Sequence, residues 1–212
     1  MKLKHRLLAV AACAAVALCA PALAAPVTYS FSGQVDSDDA GRGWLSFSGS
    51  FTFSSTAIDG IVDPSTAAYA MAGAPYGMNV VFNDGTAEAL DDSFNVLVSN
   101  NLGGWDWFGT LAQNAGGSKA LGLTLIDFSG GVFASDGLPL PLGGLTLADF
   151  DSAQFVYEAN AGILQGHLDA FTCTTGCAAM NPVPEPETYA LMLAGLLAVG
   201  AQLRRCRRSA DR

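Results

Sequence analysis

An all-β domain, a two-sheet antiparallel sandwich of jelly-roll type, is the fold class this sequence predicts, with an N-terminal export signal before it and a C-terminal hydrophobic helix behind it. Apolar residues alternate with small polar ones in short runs between Pro26 and Met180, which is the period of a half-buried strand. Glycine pairs and Asp-Gly turn signals separate the runs. No segment of comparable length carries a 3.6-residue apolar stripe, so helix content is expected to be low. The 212 residues then divide into an export signal at 1–24, a passenger domain at 25–180 and a C-terminal tail at 181–212.

The first element is the signal. Lys2, Lys4 and Arg6 precede the apolar run Leu7–Ala20, which ends at Pro21 and the small-residue triplet Ala22-Leu23-Ala24. That order makes a secretory signal peptide, cut after Ala24 or Ala25. Val10-Ala11-Ala12-Cys13 imitates a lipoprotein box, but the apolar run before the cysteine, Leu7–Ala12, is shorter than the roughly 7 to 15 residues such a region needs.

The strands follow in order. Val27, Tyr29, Phe31 and Val35 alternate with polar residues, and Leu45, Phe47, Phe51 and Phe53 repeat the pattern. Further strands are expected at Met78–Phe82, Phe94–Val98, Trp105–Leu111, Ala120–Phe128, Gln154–Glu158 and Ile163–Phe171. Asn83-Asp84-Gly85 is a hairpin signal, Gly103-Gly104 and Gly116-Gly117 punctuate other strands, and Asp136-Gly137 opens a Pro-rich loop. Eight or so short strands with turns at fairly regular intervals favour two packed antiparallel layers.

Charge separates the passenger from its flanks. Of ten Lys and Arg, three lie in the first six residues and five in Arg204–Arg212, which leaves Arg42 and Lys119. Sixteen Asp and Glu stand against those two between Asp36 and Asp169, a formal charge of −14. Such a surface repels phosphate backbones and excludes nucleic acid as a partner. Acidic charge is read as a solubility device for an exported, Gly-rich domain in preference to a cation site.

Cys13 and Cys19 fall in the signal and Cys206 among the terminal arginines, so the passenger keeps Cys173 and Cys177. A disulfide across the Thr-Thr-Gly turn between them suits an oxidising compartment and stabilises by about 2 kcal/mol at most. A closed zinc site needs four ligands, and His167 is the passenger's one histidine, so no metal is expected.

Few catalytic patterns occur along the same stretch. Asp36, Asp38, Ala40 and Phe47 occupy the first, third, fifth and twelfth places of an EF-hand register and fail it. A looser calcium site would draw on Asp84, Asp91 or Asp92. Nothing in the spacing selects a glycosidase carboxylate pair, and His167 beside Asp169 on a strand has no nucleophile in view. No nucleophile elbow or phosphate loop is present, so neither catalysis nor a cofactor is expected, and a secreted hydrolase is the weakest reading. Trp105 and Trp107 share one face of a strand with Asp106 on the other. Tryptophans so placed usually fill a core; the alternative is a platform on which sugar rings stack, making the passenger a carbohydrate-binding module for exopolysaccharide.

The tail has three blocks. In Val183-Pro184-Glu185-Pro186 the prolines hold the backbone extended, a form an enzyme can grip. The apolar run Tyr189–Leu203 rises roughly 22 Å as a helix against a hydrocarbon thickness of about 30 Å, a marginal span that suits a temporary anchor. Arg204, Arg205, Arg207 and Arg208 hold its end in the cytoplasm, leaving the Pro-Glu-Pro block at the outer face of the inner membrane. A GPI signal lacks the basic stop, and the sortase Leu-Pro-x-Thr-Gly motif is absent. The three blocks resemble the PEP-CTERM sorting domain of Gram-negative bacteria. That resemblance implies an exosortase as partner, transient anchoring in the inner membrane, cleavage near the Pro-Glu-Pro block, and delivery to the cell surface or extracellular matrix. Asp136–Ala159 followed by Gly162–Thr172 is also similar to the closing part of many PEP-CTERM passengers.

Overall fold

A computed structural model describes residues 26–138 and 145–177. The signal peptide and the whole tail, including Val183 to Pro186 and Arg204 to Arg208, lie outside the described residues. Among those described, no helix is long and apolar enough to cross a membrane.

The domain is all-β. Ten strands run as β1 (Pro26–Asp38), β2 (Ser46–Ser54), β3 (Thr66–Met71), β4 (Gly77–Phe82), β5 (Ala87–Leu90), β6 (Ser93–Leu102), β7 (Trp105–Gln113), β8 (Lys119–Asp127), β9 (Ser152–Ala159) and β10 (Gly162–Thr175). A single turn of 3-10 helix, Leu147–Asp149, precedes β9. The expected separation into two sheets is not what the backbone does. The strands form one antiparallel ladder in the order β3-β6-β7-β8-β9-β10-β1-β2-β4-β5. Alternation shows which residues share a buried face; it does not show whether that face belongs to one sheet or two.

The ladder curls until its two halves enclose a common core. Phe51 on β2 lies 6.4 Å from Phe94 on β6 and 6.1 Å from Phe108 on β7, between ring centroids. β2 and β6 stand six places apart in the order. In a flat sheet six strand spacings would separate them by roughly 29 Å. The core within the curl is aromatic, with Tyr29 stacked on Phe51, Phe53 and Phe171 at 5.4, 6.3 and 4.8 Å.

Glycines permit the curvature where β10, β1 and β2 adjoin. A Cβ on Gly166 would meet the Gln34 carbonyl and, at 2.7 Å, the Phe47 ring; one on Gly33 would meet the His167 carbonyl and the same ring at 2.7 Å. Both positions point inward, so the absent side chains let neighbouring backbone and the Phe47 ring close in.

A polar latch ties the two halves across one mouth of the curl. Glu88, on edge strand β5, accepts Nζ–H bonds from Lys119 of β8 at 2.7 and 2.8 Å and the hydroxyl of Tyr157 of β9 at 2.9 Å. Arg42, in the β1–β2 loop, donates to Asp38 and to the Gly162 carbonyl, both at 3.2 Å. Its guanidinium stacks over Trp44 and Tyr157 at 5.1 and 5.2 Å. Both of the passenger's cations are therefore built into the latch.

Candidate functional site on the outer sheet face

β7 sets the polarity of the candidate surface. Phe108 and Ala112 are fully buried, and period two then puts Asp106 and Thr110 inward as well. Trp105, Trp107, Gly109 and Leu111 consequently face out, so the core-filling expectation for the two tryptophans is corrected. Trp105 is 53% exposed and meets Phe128 edge-on at 5.1 Å. The benzo ring of Trp107 overlies Gly109, where any Cβ would come within 2.8 Å of Cζ2. Glycine there lets the indole rest against the strand beside it, which holds an aromatic surface in place on the outside of the sheet.

The inward acid is a loop anchor. Asp106, fully buried, accepts the backbone N–H groups of Asn101 at 2.7 Å and Phe133 at 2.6 Å. Asp127, paired with it across β7 and β8, accepts from the Ser129 hydroxyl at 2.7 Å and from the N–H groups of Ser129 and Gly131 at 2.8 Å. The Ser129 hydroxyl, followed by the Gly131 amide, holds the Asp127 carboxyl below its ordinary range. Together these acids fix the two loops that flank Trp105.

From the tryptophans a row of outward residues crosses the sheet in register. Gly109 pairs with Thr124, Thr124 with Gln154, Gln154 with His167, and His167 with Gln34. His167 Nδ1 lies 2.7 Å from Asp36 Oδ1, its Nε2 lies 3.6 Å from Asp169 Oδ1, and Gln34 donates to Asp169 at 3.2 Å. A cleft of about 280 Å³ opens here, lined by Asp36, Asp151, Gln154, Gln165 and His167 among others. The polar partners of His167 are carboxylates, so the arrangement offers hydrogen bonds and negative charge to a ligand. Sequence reasoning singled out His167, Asp169 and Asp36 but overlooked Gln34, Gln154 and Gln165. Their signal was available in the outward phase of β1, β9 and β10.

The remaining sequence candidates are dispersed. Asp38 holds Arg42 and the Gly43 amide; Asp84 accepts Trp44 Nε1 at 2.8 Å and the Thr86 amide at 2.8 Å; Asp92 accepts the Ala115 amide. The Thr86 amide, then the Trp44 indole, keep the Asp84 carboxyl below its usual range. The loose calcium grouping is thus divided among separate turns. Among the described residues no group of three or more His, Cys, Asp or Glu is placed to hold a metal.

Cys173 and Cys177 form a disulfide with a Cα–Cα distance of 5.7 Å. It closes the turn after β10, where Gly176 takes a φ of 72° and packs on Pro26 and Val27. Thr175 pairs with Thr28, and the Thr174 hydroxyl donates to the Thr28 carbonyl. The chain therefore leaves the domain next to where it enters.

Residues 182–208 match the family model of the PEP-CTERM protein-sorting motif. The matched stretch contains Val183 to Pro186, the apolar run and Arg204 to Arg208. Neither the curated proteins nor the solved structures gave a match to the chain.

Proposed function

We propose that this chain, which carries a PEP-CTERM protein-sorting motif at its C-terminus, is a non-catalytic surface or matrix protein of a Gram-negative bacterium, processed by an exosortase after export. The observation that carries the reading is the motif match at residues 182–208 behind a sequence of signal-peptide form. Each block has a mechanical part. The signal peptide moves the passenger across the inner membrane, the short apolar run halts the chain there, and the arginines keep its far end cytoplasmic. The Val183-Pro184-Glu185-Pro186 block is then offered to the enzyme on the passenger's side. Mass spectrometry of the mature protein from cells with and without the exosortase tests this. The extracellular form should lack the tail only when the enzyme is present; secreted material containing Leu191–Leu203 in an exosortase-positive host would overturn it.

A second reading concerns the passenger, and the outward position of Trp105 and Trp107 favours it. The passenger acts as a carbohydrate-binding module for extracellular polysaccharide, with the indoles as stacking surface. Glycan-array binding that survives Trp105→Ala and Trp107→Ala together would refute that surface as the site.

A further inference from the structure

We propose that the outer-face row from Trp107 to Gln34 is a binding track for a polysaccharide bearing free amino groups, a proposal that rests on the carbohydrate-binding reading and specifies its ligand class. The row joins two kinds of surface. At one end stands the Trp107 indole over Gly109; two strands away begins the cleft lined by Asp36, Gln154, Gln165 and His167. From Gly109 to Gln34 the track crosses four strand spacings, roughly 19 Å, enough for several sugar rings laid across the strands. Indole faces take the apolar C–H face of a pyranose, and glutamine amides and carboxylates take its hydroxyls.

The sign of the charge selects among glycans. Asp36, Asp169 and Asp151 surround the polar half of the track, in a passenger whose formal charge is −14. Its two cations, Arg42 and Lys119, are held in the latch by Asp38 and Glu88. Among the described residues nothing basic apart from His167, itself flanked by carboxylates, faces the row. Uronate, sulfate or pyruvate groups on a polymer are therefore repelled, and ammonium groups on deacetylated amino sugars are attracted. Asp36 and Asp169 are each about half exposed and retain acceptor capacity beyond their present partners, so an ammonium group can reach them without dismantling the site. Repeating amines along a polymer would engage successive positions of the track and multiply a weak single contact.

The test uses secreted mature protein with three oligosaccharide probes of matched length: glucosamine oligomers, their fully N-acetylated counterparts and oligogalacturonate. Glucosamine oligomers should bind at least about tenfold more tightly than the acetylated probe at low salt, with the preference shrinking at high salt, and oligogalacturonate should not bind. Trp107→Ala should abolish binding of both amino-sugar probes and Trp107→Phe should restore part of it. Asp36→Asn with Asp169→Asn should remove the preference for the amine, so that this variant binds glucosamine oligomers no more tightly than it binds their acetylated counterparts. Equal binding of charged and acetylated probes would overturn the amine selection yet keep the carbohydrate reading. Binding to none of the three, by variants and parent with the same thermal unfolding, would remove both.

Discussion

Replacing Glu88 by alanine should loosen the curled sheet, because that one carboxylate ties edge strand β5 to β8 and β9 on the far side of the core. Its two legs differ in worth. Lys119 is 41% exposed, so its ion pair is screened and contributes no more than about 0.5 kcal/mol. Tyr157 is 3% exposed, and its hydroxyl loses a charged acceptor in a site with little water, which costs about 1.5 to 3 kcal/mol. The sum is about 1.5 to 3.5 kcal/mol, or roughly a 3 to 14 °C fall in Tm for a domain of this size. Thermal unfolding of the purified mature protein measures it, with Glu88→Gln retaining most of the Tyr157 contact and Lys119→Met separating the ionic leg. The Tyr157 phenol gives an independent readout. Burial first, then its bond to Glu88, pushes it up to about 12, and removing Glu88 should bring it down while leaving the burial contribution. Since the folded value lies above the ordinary 10.0, the associated stability is complete below about pH 10 and is lost as pH rises toward about 12. A Tm within about 2 °C of the parent for Glu88→Ala, or Lys119→Met proving equally harmful, would refute the reasoning.

Asp127 should make the domain acid-sensitive: its folded carboxyl sits below the ordinary range, so its contribution is complete above that range and disappears as pH falls through the folded value. Denaturant titrations across acid pH should show a shallower loss for Asp127→Asn, at the expense of lower stability near neutrality. Trp105→Ala should change stability by less than about 1 kcal/mol, whereas Phe51→Ala, which empties a fully buried site, should cost about 3 to 5 kcal/mol; comparable losses would mean that the tryptophan is core after all. Gly166→Ala should cost about 3 kcal/mol or prevent folding, because the new Cβ meets both the Gln34 carbonyl and the Phe47 ring; a thermal melt like the parent's would show that the sheet can flatten there.

All eight strands read from the sequence are present, because each carries strong β-formers at alternate places. The two that escaped are instructive. β5 is Ala-Glu-Ala-Leu, helix-forming residues held as a strand by pairing with β4, and β3 has only Tyr69 and Met71 as large apolar residues. In β7 both faces carry large apolar side chains, Trp105, Trp107 and Leu111 against Phe108, so the phase was ambiguous from alternation alone. Gly109 was the available clue: a glycine in the tryptophan set leaves a hole if that set is the core and a seat for an indole if it is not. His167 and Asp36 are 131 residues apart, and no local spacing could have joined them. That pairing depends on β10 lying beside β1, a choice made by the whole sheet.

The same adjacency bears on how sorting and binding fit together. Thr28 pairs with Thr175, and the disulfide closes the turn just beyond, so entry and exit share one end of the β1–β10 pair. Gln34 lies six residues further along β1, roughly 20 Å from that end, with His167 paired to it on β10. No residue of the proposed track belongs to the stretch that an exosortase would handle, which begins at Asn181 in the sequence and at residue 182 in the family match. On the proposed reading, removal of the tail changes where the passenger resides and leaves every residue of the proposed track in the chain. On this account a membrane-held precursor, kept from processing by loss of the exosortase, should bind the same glycan with the same preference as the released form. A difference between them would mean that cleavage exposes or completes the site, and the division of labour between tail and passenger would have to be redrawn.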